Sequence, residues 1–287
     1  MTDNLVTVRV WGDFACFTRP EMKVERVSYP VMTPSAARGI LEAIFWEPQM
    51  HYLIDAIRVV KRGRWFSFRR NEVINVISLD SAKTWMKTPE KVTLIQAGGG
   101  TRDGTQRNML ALEDVEYLIT AEVRLTAIGT QNNGLSKYLE EIRRRAQSGK
   151  CYHRPALGVR EFAADFEWEE DAQSALERRA AALGSNWRGY EEDLGLMLYD
   201  VFDVNERAEG FRWQRPEEIE ALQAQREAES KKLSAAARKA AARAPLPRYE
   251  GRLVKPEAAF FHASVKESKL DCHPERVRFA RQSGFNR

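Results

Sequence analysis

Val6, Val8 and Val10 alternate with Thr7, Arg9 and Trp11 along LVTVRVW, residues 5–11, the two-residue period of a strand with one buried face. The period then changes. Thr33 and Pro34 make an N-cap and first-turn pair, and Ala37, Ile40, Leu41 and Ile44 share one side of SAARGILEAIFW before Pro48 ends the run, which predicts a first helix. HYLIDAIRVVK (51–61) and VEYLITAEVRLTA (115–127) are rich in β-branched and aromatic residues over strand length, and LGVREFAADFEW (157–168) alternates again, so three more strands are predicted. Between the last two, GLSKYLEEIRRRAQSG (134–149) stacks Leu135, Leu139, Ile142 and Ala146 in a narrow stripe closed by Gly149, the mark of a second amphipathic helix.

The resulting order over residues 5–168 is βαββαβ, a ferredoxin-like α+β plan, with an excursion at 62–112. That plan hosts many functions and selects none. DLGLMLYDVFDV (193–204) and PEAAFFHASV (256–265) read as two further strands in a β-rich C-terminal part spanning 169–287. Between them, residues 215–247 are acidic in their first half and basic in their second, with no acidic residue from Ser230 to Tyr249. This charge order suits a helix dipole, and it predicts a mostly helical arm inserted over about 206–252.

The chain has 287 residues, 43% of them hydrophobic, enough for a sizeable core. Its 45 Lys and Arg against 41 Asp and Glu give a weak overall bias, so a polyanionic partner must be met by local clusters. MTDNLVTVRV lacks the basic and apolar regions of a signal peptide, and charges interrupt each apolar run short of a membrane span, so a cytoplasmic protein without a membrane partner is expected. Cys16, Cys151 and Cys272 are odd in number and widely spaced, which fits reduced thiols.

The basic clusters are Arg19, Lys23 and Arg26; Lys61, Arg62, Arg64, Arg69 and Arg70; and Arg143, Arg144 and Arg145. Phe17, Trp65, Phe66 and Phe68 interleave them, the mixture that neutralises phosphates and stacks bases of single-stranded nucleic acid. Each run alone also reads as a solvated face. No RNP-type sequence accompanies the strands, so an ordinary RNA-recognition domain is not spelled. QAGGGTRDGTQR (96–107) lacks the Gly-Lys-Ser/Thr of a phosphate loop and reads as a flexible loop or hairpin. Cys151 with His153 and Cys272 with His273 could supply four zinc ligands if the segments met, but their spacing matches no standard finger, and neither metal nor cofactor is expected. On the second helix Lys137, Glu141 and Arg144 lie away from the apolar stripe, with Tyr138 and Arg145 on one flank. That is either an amphipathic surface with an i,i+4 ion pair or an ammonium and a phenol beside a groove that holds phosphate.

RVWGDFACFTRPEMKVERVSYPVMTPSAARGILEAIFWEP, RRNEV, KYLEEIRRRAQSGKCYHRPALGVREF and DLGLMLYDVF together resemble the CRISPR-associated protein 5 family in its subtype I-C (Dvulg) form. The resemblance spans most of residues 5–204, and AAFFHASV resembles the family's closing strand. It implies a RAMP-type, RRM-like ferredoxin fold with a smaller C-terminal part. It also implies antiviral defence: metal-independent cutting of precursor CRISPR RNA beside its repeat hairpin, retention of the 5′ handle, and membership of the type I-C interference complex with its backbone and large subunits and, through them, target DNA. The attack of a 2′-hydroxyl on the adjacent phosphate leaves a cyclic phosphate and a 5′-hydroxyl. Where the family commonly uses Tyr, Lys and His, this sequence has Phe45, Lys137 and Tyr138. The implied catalytic set is Lys137 with either Tyr138 or His153, the nearest imidazole in sequence, as base. His153 is equally readable as a surface histidine. Expected RNA contacts are Phe45 as a stacking ring and Arg19, Lys23, Arg26, Arg38, Arg69, Arg70, Arg143, Arg144 and Arg145 as cations. The alternative function is a non-cleaving subunit that binds the 5′ handle and helps assembly.

Overall fold

In the computed structural model, residues 4–127, 129, 134–202, 212–213, 216–238, 249–250 and 256–280 are described. The valine alternation becomes β1 (Leu5–Ala15), whose Val6, Val8 and Val10 are buried. It pairs antiparallel with both β5 (Gly104–Leu125) and β6 (Asp165–Glu169), and β5 pairs antiparallel with β3 (Met50–Lys61). The spatial order β6-β1-β5-β3 is the sheet of the ferredoxin-like plan. Residues 10, 117 and 59 share one face of adjacent strands, and the core lies between that face and two helices. α1 (Pro34–Ile44) packs on β3, and α3 (Leu135–Ser148) packs on β1, β5 and β6.

Both helices start and stop where their local chemistry requires. Thr33 Oγ1 accepts the Ala36 N–H at 3.2 Å, and Pro34 fills the first position, where no N–H is needed. Gly149 closes α3 at φ 66° and returns its N–H to the Arg145 carbonyl, a left-handed residue that glycine adopts at little cost.

Beyond β3 the sheet continues through β11 (Lys269–Asp271), β10 (Pro256–Lys266) and β7 (Glu192–Phe202), so the C-terminal strands extend the same sheet. α4 (Ala172–Leu183) covers the opposite face, placing Ala175 and Leu176 on Val60 and Leu118. Glu116, buried beneath it, accepts from Arg179 at 2.6 and 3.0 Å and from Arg9 at 3.1 Å. Burial raises its proton affinity, and the two guanidiniums more than reverse this, leaving it below the ordinary carboxylate range.

The excursion at 62–112 is built on β4 (Arg64–Val73), which pairs with the first half of β5, followed by α2 (Leu79–Lys87). β2 (Arg26–Val27) runs parallel to β5 beside it. The glycine-rich stretch turns at Gly100, φ 82°, before β5 begins at Gly104. Ile74, Val76, Ile77, Leu79, Met86 and Leu94 are exposed there. Of the predicted arm, α5 (Pro216–Ser230) is described, and β8 (Arg212–Trp213) pairs with β9 (Tyr249–Glu250) at its base; residues 203–211 and 239–248 lie outside the described residues.

One predicted strand is corrected: within 157–168 only the end from Asp165 is strand. Gly158 at φ 89° turns the chain, and Leu157 N–H then bonds to the Phe162 carbonyl at 2.7 Å while Phe162 N–H bonds to Val159 at 3.0 Å. A compact turn consumes the donors that a strand would offer.

Candidate active site

α1 ends at Phe45, whose backbone leaves the helix at φ −156°, ψ 130° after donating its N–H to the Leu41 carbonyl. This conformation swings the ring inward. Phe45 is 1% exposed, its carbonyl accepts from Tyr52 Oη at 2.8 Å, and its ring stacks on Tyr138 with centroids 6.4 Å apart. A ring held this way cannot stack on a base, so the expected RNA contact at Phe45 is corrected to a core role.

Tyr138 is likewise buried, within the apolar stripe of α3 beside Ile142 and Ala146. Its hydroxyl is enclosed and has no hydrogen-bond partner among the described residues. A base must reach the proton that it takes, so burial removes Tyr138 from that role. The flank of α3 carries what is exposed. Lys137 Nζ stands 3.8 Å from Glu47 and 5.2 Å from the Tyr138 ring centroid, with its side chain 58% exposed.

Arg145 lies over two rings, 4.1 Å from the Tyr152 centroid and 5.6 Å from that of Phe45. Glu141 fixes it from below at 2.6 Å and also takes two bonds from Arg144, at 2.8 and 2.9 Å. These bonds, Arg144's foremost, hold the Glu141 carboxyl at about 2. Glu141 thus serves the arginines, and Lys137 pairs across to Glu47 instead of along its own helix.

After α3 the chain returns to α1, where the N–H groups of Tyr152 and His153 both reach the Ala43 carbonyl, at 2.9 and 3.1 Å. Tyr152 and His153 are exposed. Ala43 also lines a cleft of about 480 Å³ that runs along α1 past Gly39, Ala36 and Ser35, with Arg154 and Arg160 on the facing wall. The Ala43 end of the cleft therefore adjoins the backbone of Tyr152 and His153, and Arg145 lies over the Tyr152 ring. Charge development on a phosphate at that end would meet the Arg145 guanidinium already in place. Among the described residues no group of three or more His, Cys, Asp or Glu could hold a metal ion. Cys272 is buried, its thiol directed at the Leu270 carbonyl, and His273 contacts Glu122.

Residues 5–244 match the family model for CRISPR-associated protein Cas5, in its Cas5d form. The chain belongs to the Cas5 family. A CRISPR pre-crRNA endoribonuclease Cas5d from Mannheimia succiniciproducens is 41% identical over 198 residues, covering 69% of this chain and 85% of that protein. The protein of the same description from Thermus thermophilus is 46% identical over 199 residues, 69% of this chain and 74% of its own. A crystal structure of a CRISPR-associated protein superposes with a TM-score of 0.51 at 18% identity, covering 93% of this chain and 90% of that one, and it supports the fold.

Within this Cas5 family member the remaining expected contacts divide by partner. Arg38 is buried: Nε and Nη2 meet Asp200 at 2.7 and 2.9 Å and Nη1 meets Glu42 at 2.6 Å. That guanidinium joins α1 to β7 and is corrected from an RNA contact to a structural ion pair. Arg143 turns toward β6, pairing with Glu170 and lying 5.8 Å from the Trp168 ring. Arg70 pairs with Glu161 at 2.6 Å, exposed Arg69 contacts Gln106, and Arg26 is half-buried on β2. Arg19 lies 4.4 Å over the Tyr29 ring, and Lys23 is exposed after it. Arg145, stacked on Tyr152, thus stands beside the Ala43 end of the cleft near His153, while Lys137 lies earlier on α3 beside Glu47 and Arg143 faces β6. Arg154, Arg160 and Tyr152 were missed by sequence reading. Arg160 lay inside the stretch read as a strand, while Tyr152 and Arg154 flank His153 in CYHRP and were passed over for it. No helix of the described residues is long and apolar enough to cross a membrane.

Proposed function

We propose that this chain cuts precursor CRISPR RNA beside its repeat hairpin and keeps the 5′ handle as a subunit of the type I-C interference complex in the cytoplasm. Its partners are then the backbone and large subunits and, through the complex, target DNA. The observation that carries the reading is the meeting at Ala43, which lines the arginine-walled cleft and whose carbonyl takes the N–H groups of Tyr152 and His153, with Arg145 lying over the Tyr152 ring. Pre-crRNA endoribonuclease is also what both Cas5d relatives are named.

The chemistry requires no resident cofactor. The 2′-oxygen of the nucleotide before the cut bonds to phosphorus, its proton passes to a base, and the phosphorus–5′-oxygen bond breaks to leave a cyclic phosphate and a 5′-hydroxyl. His153 is the base, because Tyr138 is enclosed while the imidazole is exposed. Lys137 stabilises the negative charge that grows on the phosphorane oxygens, with Arg145 behind it. Arg154 and Arg160 hold neighbouring phosphates along α1.

A second reading, a non-cleaving 5′-handle binder, draws on one observation: neither Phe45 nor Tyr138 offers an accessible proton-transfer group. Incubating the purified protein with its cognate repeat RNA in EDTA separates the two. One cut with a cyclic-phosphate end supports the nuclease, and tight binding without a cut supports the binder.

A further inference from the structure

We propose that the Tyr152 hydroxyl is a catalytic group that donates the proton taken up by the leaving 5′-oxygen. The inference rests on the nuclease reading and completes it. Transfer of a proton to the leaving oxygen needs an exposed donor beside the cations that hold the phosphate, and the cluster at the end of α1 contains three tyrosines. Tyr52 and Tyr138 are fully buried. Tyr152 is 49% exposed.

Its exposure is combined with unusual fixation. The ring lies under the Arg145 guanidinium at 4.1 Å and against Phe45 with centroids 6.0 Å apart, and its N–H is tied to the Ala43 carbonyl at 2.9 Å. Arg145 is itself held by Glu141. A half-exposed side chain normally retains rotamer freedom; this one is positioned by a cation, a ring and its backbone while its surface stays open, which is the preorganisation a reacting group needs. Arginine does not deprotonate, and Lys137 is assigned to the phosphorane charge, so the phenol is the group left to give a proton.

The step balances without a further reactant. The 2′-oxygen forms its bond to phosphorus and yields its proton to His153. The phosphorus–5′-oxygen bond breaks, the oxygen leaves with the electron pair and takes the phenol proton, and the phenolate recovers a proton from water.

Tyr152→Phe keeps the ring and its packing against Arg145 and removes only the hydroxyl. Single-turnover cleavage of the cognate repeat RNA by this variant should fall about 10²-fold or more with RNA affinity unchanged. The decisive comparison uses the same RNA with sulfur in place of the bridging 5′-oxygen at the cut, a leaving group that departs without a proton. On that substrate Tyr152→Phe should match the wild type. Equal rates for variant and wild type on the oxygen substrate, or the same fold loss on both substrates, would overturn the assignment. Absence of cleavage by the wild type on either RNA would overturn the nuclease reading, and this inference with it.

Discussion

The Phe45 ring stacks on Tyr138 at 6.4 Å and 29°, and neither side chain reaches solvent. The pair seals the core between the end of α1 and the buried stripe of α3. Phe45→Ala should therefore destabilise the fold by about 3–5 kcal/mol, the usual effect of emptying a buried aromatic site, read as a lower urea midpoint. Tyr138→Phe removes a hydroxyl that has no partner among the described residues, so stability should hold or rise slightly and cleavage should be unchanged. A Tyr138→Phe variant that loses cleavage while fully folded would contradict the core assignment.

Arg38 and Asp200 are 162 residues apart and joined by two hydrogen bonds. Removing one partner leaves the other charge buried, so Arg38→Ala should cost about 3–5 kcal/mol in chemical denaturation. Folded Arg38→Ala should bind repeat RNA as tightly as the wild type. Weaker binding by the folded variant would return Arg38 to the RNA surface.

Gly39 lies on the cleft wall of α1, and a Cβ added there meets nothing within 4 Å. Gly39→Leu should raise helix stability by about 0.5–1 kcal/mol while filling the cleft and weakening RNA binding. On the facing wall, Arg160→Ala should lower affinity and reduce the salt slope by about one phosphate contact. Unaltered binding of both variants in a salt titration would place the RNA elsewhere.

Glu122 accepts from Arg124 at 2.7 Å and from Asn4 at 2.8 Å, with His273 at 3.4 Å, and these contacts, Arg124's foremost, hold its carboxyl at about 2. Because the folded value lies below the unfolded one, near 4.3, the stabilisation is complete above the unfolded value and is lost as pH falls toward 2. Glu122→Gln should thus be less stable than wild type at pH 6, and the gap should narrow between pH 5 and 2. Urea midpoints measured across that range check the trend.

The βαββαβ order was readable because Val6, Val8 and Val10 and the stripe of α3 have clean periods. Periodicity at Leu157–Trp168 misled, since Gly158 allows a turn whose side chains still alternate in burial. α4 went unread although Asp171 caps it and Gly184 follows it. The candidate site was legible only in its exposed groups. The exposure of Lys137 and His153 fits the expectation drawn from the family resemblance, but which way Phe45 faces is set by the backbone just past the helix, and Arg38's partner lies far along the chain. Local pattern carries neither fact. Tyr152 acquires meaning only once the chain folds back onto Ala43.

The central claim is that the phosphate is cut where the cleft meets the exposed flank of α3. Single-turnover rates of wild type and Lys137→Ala on saturating cognate repeat RNA test it most directly. A charge acting mainly in the transition state should cost roughly 10²–10³-fold in rate when removed, with a much smaller change in affinity. Equal rates for the two proteins would contradict the account.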